Sequence, residues 1–197
     1  MPPPLNRPLI LGSTSPYRRD LLSRLRIPFD VVAPEVDETP GESESPQQLA
    51  CRLAMSKARA VAARFPRAIV IGSDQVADLD GAAIGKPVTH ASAAAQLHRM
   101  SGRLVIFQTA VAVVCAEAKF AEMDLAQVRV RFRELGDAAI ETYLLAEQPY
   151  DCAGSAKCEA LGIALLDAID NDDPTALVGL PLIRTCRMLR SAGLDLL

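Results

Sequence analysis

A hydroxyl-rich turn, a lysine on an apolar helix face and a carboxylate following an apolar run are the residues of this chain with chemistry to offer. Gly12-Ser13-Thr14-Ser15-Pro16-Tyr17-Arg18-Arg19 supplies backbone N–H groups, hydroxyls and two arginines, the donors that hold phosphate. It lacks the Lys-Ser/Thr ending of a Walker A loop, and a capped helix carrying surface arginines accounts for it equally well. On a helical wheel of about 100° per residue, Lys57 falls within the stripe formed by Leu49, Ala50, Leu53, Ala60 and Val61. A lysine there either reaches a polar partner or cavity, or snorkels at the core edge.

Asp74 follows the apolar run Ala68–Ile71 and is read as closing a buried strand, where α/β proteins gather ligand groups. It can hold a metal or accept a proton from water, or it can simply terminate a strand. Glu35, Asp37 and Glu38 form an acidic loop that either adds a metal ligand or is solvated. The segment Tyr150–Gly162 is rich in Gly and Ala, which lets a ligand approach the backbone, and Glu159 stands within it. The only histidines, His90 and His98, read as surface residues, which argues against a His-based triad or a histidine-rich zinc centre.

These residues need a scaffold of mixed helices and strands. Residues 8–12, 29–33 and 68–71 read as short strands. Ser15-Pro16 opens a helix to about Leu25, and the capping-box sequence Ser45-Pro46-Gln47-Gln48 opens another to about Phe65. Helices are expected near 90–100, 137–147 and 180–191, with a glycine-containing segment between the last two. Strands near 104–116 and 119–132 are expected to pair as a hairpin, the second alternating at Val128, Val130 and Phe132. With no strict βαβ rhythm, the expected architecture is α/β with a mixed sheet flanked by helices. No repeat or linker divides residues 1–197, so a single domain is expected.

Composition narrows the partners. A net charge of −3 provides no basic field for nucleic acid or anionic lipid. Aromatic residues make up only 4% of the chain, too few for base-stacking platforms of the single-strand-binding kind. No apolar run approaches the roughly 20 residues of a membrane span, and Met1-Pro2-Pro3-Pro4 does not read as a signal peptide. Five cysteines with no CxxC pair fit reduced thiols. The expectation is a cytoplasmic protein with a small-molecule partner and neither nucleic acid nor membrane; a homodimer stays open.

Taken in order, Gly12–Arg19, Val36-Asp37-Glu38, Lys57-Ala58-Arg59, Gly72-Ser73-Asp74-Gln75, Gly85-Lys86-Pro87, the 150–162 segment and Val178-Gly179-Leu180-Pro181 resemble the Maf family of nucleotide pyrophosphatases from about Pro8 to Ala192. The resemblance implies a fold like that of the inosine-triphosphate pyrophosphatases, two lobes around a central cleft, and hydrolysis of a nucleoside triphosphate to monophosphate and diphosphate with Mg²⁺ or Mn²⁺. Asp74 matches the family's proton acceptor; Arg18, Lys57 and Lys86 its phosphate-contacting cations; Glu38, with Asp74, its metal end; and Ser13 and Ser15 its phosphate loop. Tyr17, Gln75 and Glu159 occupy the positions that sort substrates. The Asp-Gln pair and the Ala-Gly-Ser-Ala-Lys segment ending in Glu are similar to the branch that prefers 7-methyl-GTP, although Tyr17 stands where that branch usually has Trp. The alternatives are a dTTP/UTP pyrophosphatase and a non-catalytic nucleotide-binding regulator of septum formation.

Overall fold

Four consecutive buried residues, Leu9–Gly12 (β1), form a fully covered strand that pairs in parallel with β2 (Asp30–Val31) and β3 (Ile69–Leu79). The computed structural model describes residues 7–197, so the reading of the N-terminal Met1-Pro2-Pro3-Pro4 lies outside the described residues. β3 also pairs antiparallel with β4 (Ala82–Ile84) and with β5 (Leu104–Cys115), which forms the expected hairpin with β6 (Phe120–Phe132). β7 (Leu166–Asp170) closes the order β2-β1-β3-β5-β6-β7. The sheet is mixed, as expected.

Among the described residues five α-helices flank it: α1 (Pro16–Ser23), α2 (Pro46–Arg64), α3 (His90–Met100), α4 (Asp137–Glu147) and α5 (Leu182–Ser191). Ser15 caps α1 with its hydroxyl and Ser45 closes a complete capping box on α2, each satisfying a backbone N–H that has no partner within its helix. Strand alternation divides the core. Ile10, Val70, Ala110 and Ala112 face α2 through Leu53, Ala54, Ala58 and Val61. Leu9, Leu11, Ile69, Ile71, Val111 and Val113 face the opposite way, onto Leu21 and Leu22 of α1 and Met188 and Leu189 of α5. Farther along that second face, Ala77, Leu79 and Phe107 pack on Leu97 of α3 and Leu144 of α4. Between the two packed regions of that face lie Ser73 and Gln75, the polar residues of β3 that share its side-chain direction.

Several boundaries differ from the sequence reading. β2 is two residues rather than 29–33, and α1 ends at Ser23. β4 and β7 arise where the sequence reading placed no strand. The apolar stripe of α2 runs through Ala54 and Ala58 while Ala60 is partly exposed. The main correction concerns Asp74. β3 does not stop near Ile71 but continues to Leu79, so Asp74 lies mid-strand. Its parallel partner β1 gives out at Gly12↔Gly72, whereas β5 stays in register to Asp78↔Ile106. The ladder to β5 supplies the hydrogen bonds that keep the polar Ser73-Asp74-Gln75 stretch extended. No described helix is long and apolar enough to cross a membrane.

Candidate active site

Where β1 ends and β3 continues, one side of Asp74 faces space instead of a strand. The turn 13–15 bends away there into α1, and α2 covers β3 from one face. The result is a cavity of about 620 Å³. It is lined by ten of the side chains singled out from the sequence: Arg18, Lys57, Lys86, Asp74, Ser13, Ser15, Tyr17, Gln75, Glu159 and Glu38.

Lys57 is its centre. The ammonium donates to Asp74 Oδ1 at 2.7 Å and meets Glu38 Oε1 at 2.8 Å, with the lysine side chain only 6% exposed. The stripe position therefore reflects a paired charge inside a polar cavity, not snorkelling. Glu38 arrives on the acidic loop, which Arg52 of α2 clasps: its guanidinium donates to both Glu44 oxygens, at 2.6 and 2.8 Å, and to the Thr39 carbonyl at 3.0 Å. Partial burial opposes charge on Glu38, but the Lys57 hydrogen bond and charge, with Lys86 and Arg18 beyond, outweigh it and hold the carboxyl below its ordinary range. Glu35 and Asp37 are exposed, the solvated alternative of the sequence reading.

Arg18 is held by Gly179, whose carbonyl accepts from Nε at 2.8 Å and from Ser73 Oγ at 3.0 Å. Gly179 has φ +117°, a left-handed conformation that suits glycine. Burial pulls the Arg18 pKa down, opposed by the charges of Asp74 and Glu38; from so high a starting point the guanidinium stays charged. The Ser13 hydroxyl accepts from Ser15 N at 3.2 Å and Arg18 Nη1 at 3.4 Å, while Ser15 Oγ accepts from Arg18 N. These hydroxyls shape the turn and keep their own O–H to donate into the cavity. Lys86 rides on the β4–α3 loop. That loop is fixed by Gln96 Nε2 donating to the Gly85 carbonyl at 3.1 Å and by Val88 N donating to the Tyr150 carbonyl at 3.1 Å.

The far end is formed by Tyr17, Gln75 and the 151–159 segment. The Gln75 amide donates to Thr109 Oγ1 and to the carbonyls of Ala176 and Leu177, all within 3.0 Å, which leaves its carbonyl oxygen as the group to offer a ligand. The Tyr17 hydroxyl donates to Asp151 Oδ2 at 3.2 Å. Burial, then the neighbouring Cys152 and Asp151, push its ionisation well above the ordinary range. The Cys152 thiol is likewise pushed up to about 12, by burial first and the Asp151 charge next, so it is protonated at neutral pH. His90 is more than a free surface residue: its ring nitrogens contact Tyr150 Oη at 3.0 Å and Glu141 Oε2 at 2.8 Å.

Sequence reasoning gave no individual role to Gly179, Asp151 or Arg52, although the first two stand in quoted segments. Gly179 had a signal in its Gly-Leu-Pro run. Asp151 had none, because its partner Tyr17 is 134 residues away.

The cavity defines an α/β protein whose cleft gathers three cations around two carboxylates at one end and presents an aromatic face and an acid at the other. The chain belongs to the Maf-like protein family, which it matches over residues 8–192. It is 72% identical, over all of this chain and 99% of the relative, to the 7-methyl-GTP pyrophosphatase of Albidiferax ferrireducens. Similar proteins of the same printed name occur in a Polaromonas species, at 67% identity over 98% of this chain and 88% of the relative, and in Methylobacillus flagellatus, at 54% over 96% and 99%.

Proposed function

We propose that this chain is a nucleoside triphosphate pyrophosphatase that hydrolyses 7-methyl-GTP to 7-methyl-GMP and diphosphate. The observation that carries the reading is the meeting of Lys57 with Asp74 and Glu38 in the cavity that also receives Arg18, Lys86 and Glu159. The names of the relatives point to the same reaction.

Arg18, Lys57 and Lys86 lie along the triphosphate and offset its charge, the preorganised electrostatics on which phosphoryl chemistry depends. Lys57 engages Oδ1 of Asp74, leaving Oδ2 to orient a water and take its proton. The water oxygen bonds to the α-phosphorus, the bond from that phosphorus to the α,β-bridging oxygen breaks, and diphosphate departs. At the other end a cationic methylated base stacks on Tyr17, while the Glu159 carboxylate accepts from guanine N1–H and the exocyclic amine.

A divalent cation, Mg²⁺ or Mn²⁺, belongs to this reading. Among the described residues no three His, Cys, Asp or Glu side chains gather to hold an ion. Mg²⁺, however, is commonly held by one or two carboxylates with substrate phosphates and water, and Glu38 and Asp74 provide two such oxygen donors within reach of one ammonium. When bound, the ion would neutralise phosphate charge. The nucleotide substrate puts the activity in the cytoplasm.

The test is diphosphate release from the purified chain with 7-methyl-GTP, GTP, dTTP and UTP, each with Mg²⁺ and with a chelator. The expected result is the highest kcat/KM on 7-methyl-GTP and loss of activity with the chelator. Equal or better rates on the pyrimidines overturn the base assignment, and tight binding without diphosphate release overturns the enzyme.

A further inference from the structure

The base end of the cavity carries charges that phosphate chemistry does not use. Asp151 and Glu159 both line it. Lys157 lies against Asp151 and Tyr17, with its ammonium 4.0 Å from Asp151 Oδ1 and 6.0 Å from the centroid of the Tyr17 ring. Asp151 in turn accepts the Tyr17 hydroxyl. The thiols of Cys152 and Cys158, each raised to about 12 by burial and then by the adjacent carboxylate, add no negative charge at neutral pH. One carboxylate and one ammonium therefore flank the aromatic ring, and a second carboxylate, Glu159, lines the same cavity. A positively charged base gains from that balance and a neutral one does not. The ammonium beside the Tyr17 ring acts in the opposite sense, because it competes for the same electron-rich face.

We propose that Asp151 and Lys157 are an opposed pair of specificity-determining residues that sets how strongly the cavity prefers a cationic N7-methylated purine to its neutral parent. Asp151 draws the cation in and Lys157 holds the preference in check. This rests on the reading of the cavity as a 7-methyl-GTP site, and it assigns to these two residues the discrimination between the methylated and unmethylated base.

The experiment measures kcat and KM for 7-methyl-GTP and GTP on wild type, Asp151→Asn and Lys157→Gln, at slightly acidic pH where the methylated base keeps N1–H and its positive charge. Asparagine still accepts the Tyr17 hydroxyl, so Asp151→Asn removes the charge and keeps the contact. The ratio of kcat/KM, 7-methyl-GTP over GTP, is expected to fall about two- to fivefold in Asp151→Asn and to rise by a similar factor in Lys157→Gln, the size of a partly exposed charge interaction. The change should sit in KM and shrink as ionic strength rises. A purely structural role would move both substrates together and show no such salt dependence. A ratio unchanged in Asp151→Asn, or shifted in the same direction by both variants, overturns the proposal while leaving the pyrophosphatase reading intact. If Asp151→Asn does not fold, Lys157→Gln decides, and an unchanged ratio there is equally fatal. Wild type inactive on both nucleotides overturns the parent reading and this proposal with it.

Discussion

Gly72→Ala should damage stability and turnover together, because the α carbon of Gly72 is where α2 rests on β3. A Cβ added there would sit 2.3 Å from the Ala54 carbonyl oxygen, 2.5 Å from Ala58 N and 2.9 Å from the Ala58 Cβ. Two of the three are backbone atoms of α2, so no side chain can rotate out of the way. To restore van der Waals contact the helix must lift by about 1 Å, since packed interiors leave no slack. Overpacking of this kind costs about 3 kcal/mol, the upper part of its usual range, and a loss of that size lowers Tm by roughly 6–12 °C in a chain of this length. The same movement carries Lys57 away from Asp74, to which it now donates at 2.7 Å, and a misplacement of about 1 Å can cost on the order of 10²-fold in rate. Urea unfolding and 7-methyl-GTP turnover are the assays, with Gly136→Ala as control: nothing lies within 4 Å of a Cβ there, so a change under about 1 kcal/mol is expected. If Gly72→Ala unfolds within about 0.5 kcal/mol of wild type and keeps its rate, α2 is not seated on β3 in this way and the placement of Lys57 must be rethought.

Asp74→Asn should keep the fold, since asparagine still accepts from Lys57, and lose about 10²-fold or more in kcat, the usual weight of a general base; near-wild-type turnover would remove Asp74 from the proton transfer. Lys57→Met leaves the Asp74 carboxylate, only 11% exposed, without its cation. Destabilisation by about 2–4 kcal/mol is expected, somewhat under the range for a fully buried pair because the cavity is open to water. The double variant Lys57→Met, Asp74→Asn should recover part of that loss in urea unfolding, and a strictly additive double variant would contradict the pairing. In the acidic loop, the Arg52 hydrogen bonds, then the Gly41 N–H, lower the Glu44 pKa from 4.5 to about 2. A depressed folded-state pKa means the clasp contributes fully above 4.5 and is lost as pH falls toward about 2. Side-chain NMR should show Glu44 titrating at that low value in wild type and moving up toward its ordinary value in Arg52→Gln, where the Gly41 N–H remains; a wild-type midpoint near 4.5 would refute the clasp.

Much of the scaffold is set by interactions among near neighbours, and these the sequence alone determined. Ser15-Pro16 and the Ser45–Gln48 box start their helices because a side chain three residues away satisfies a free N–H. The β5–β6 hairpin follows from two long apolar-rich segments joined by a short turn. The place of Lys57 on a core stripe was legible from periodicity, which left a paired ammonium and a snorkelling one both open.

Tertiary structure decided the rest wherever the deciding contact comes from a distant part of the chain. The polar Ser73-Asp74-Gln75 stretch looks like the end of a strand, and it stays in the sheet because β5, more than thirty residues on, continues the ladder after β1 has stopped. That difference in partner length is what opens the cavity beside Asp74. Arg18 owes its position to a carbonyl 161 residues away, and Tyr17 to a carboxylate 134 residues away. β7 is a strand chiefly because β6 offers it an edge. Local sequence carries capping and periodicity, which act within a few residues, whereas strand ends and side-chain pairs depend on chain segments that meet only in the folded state.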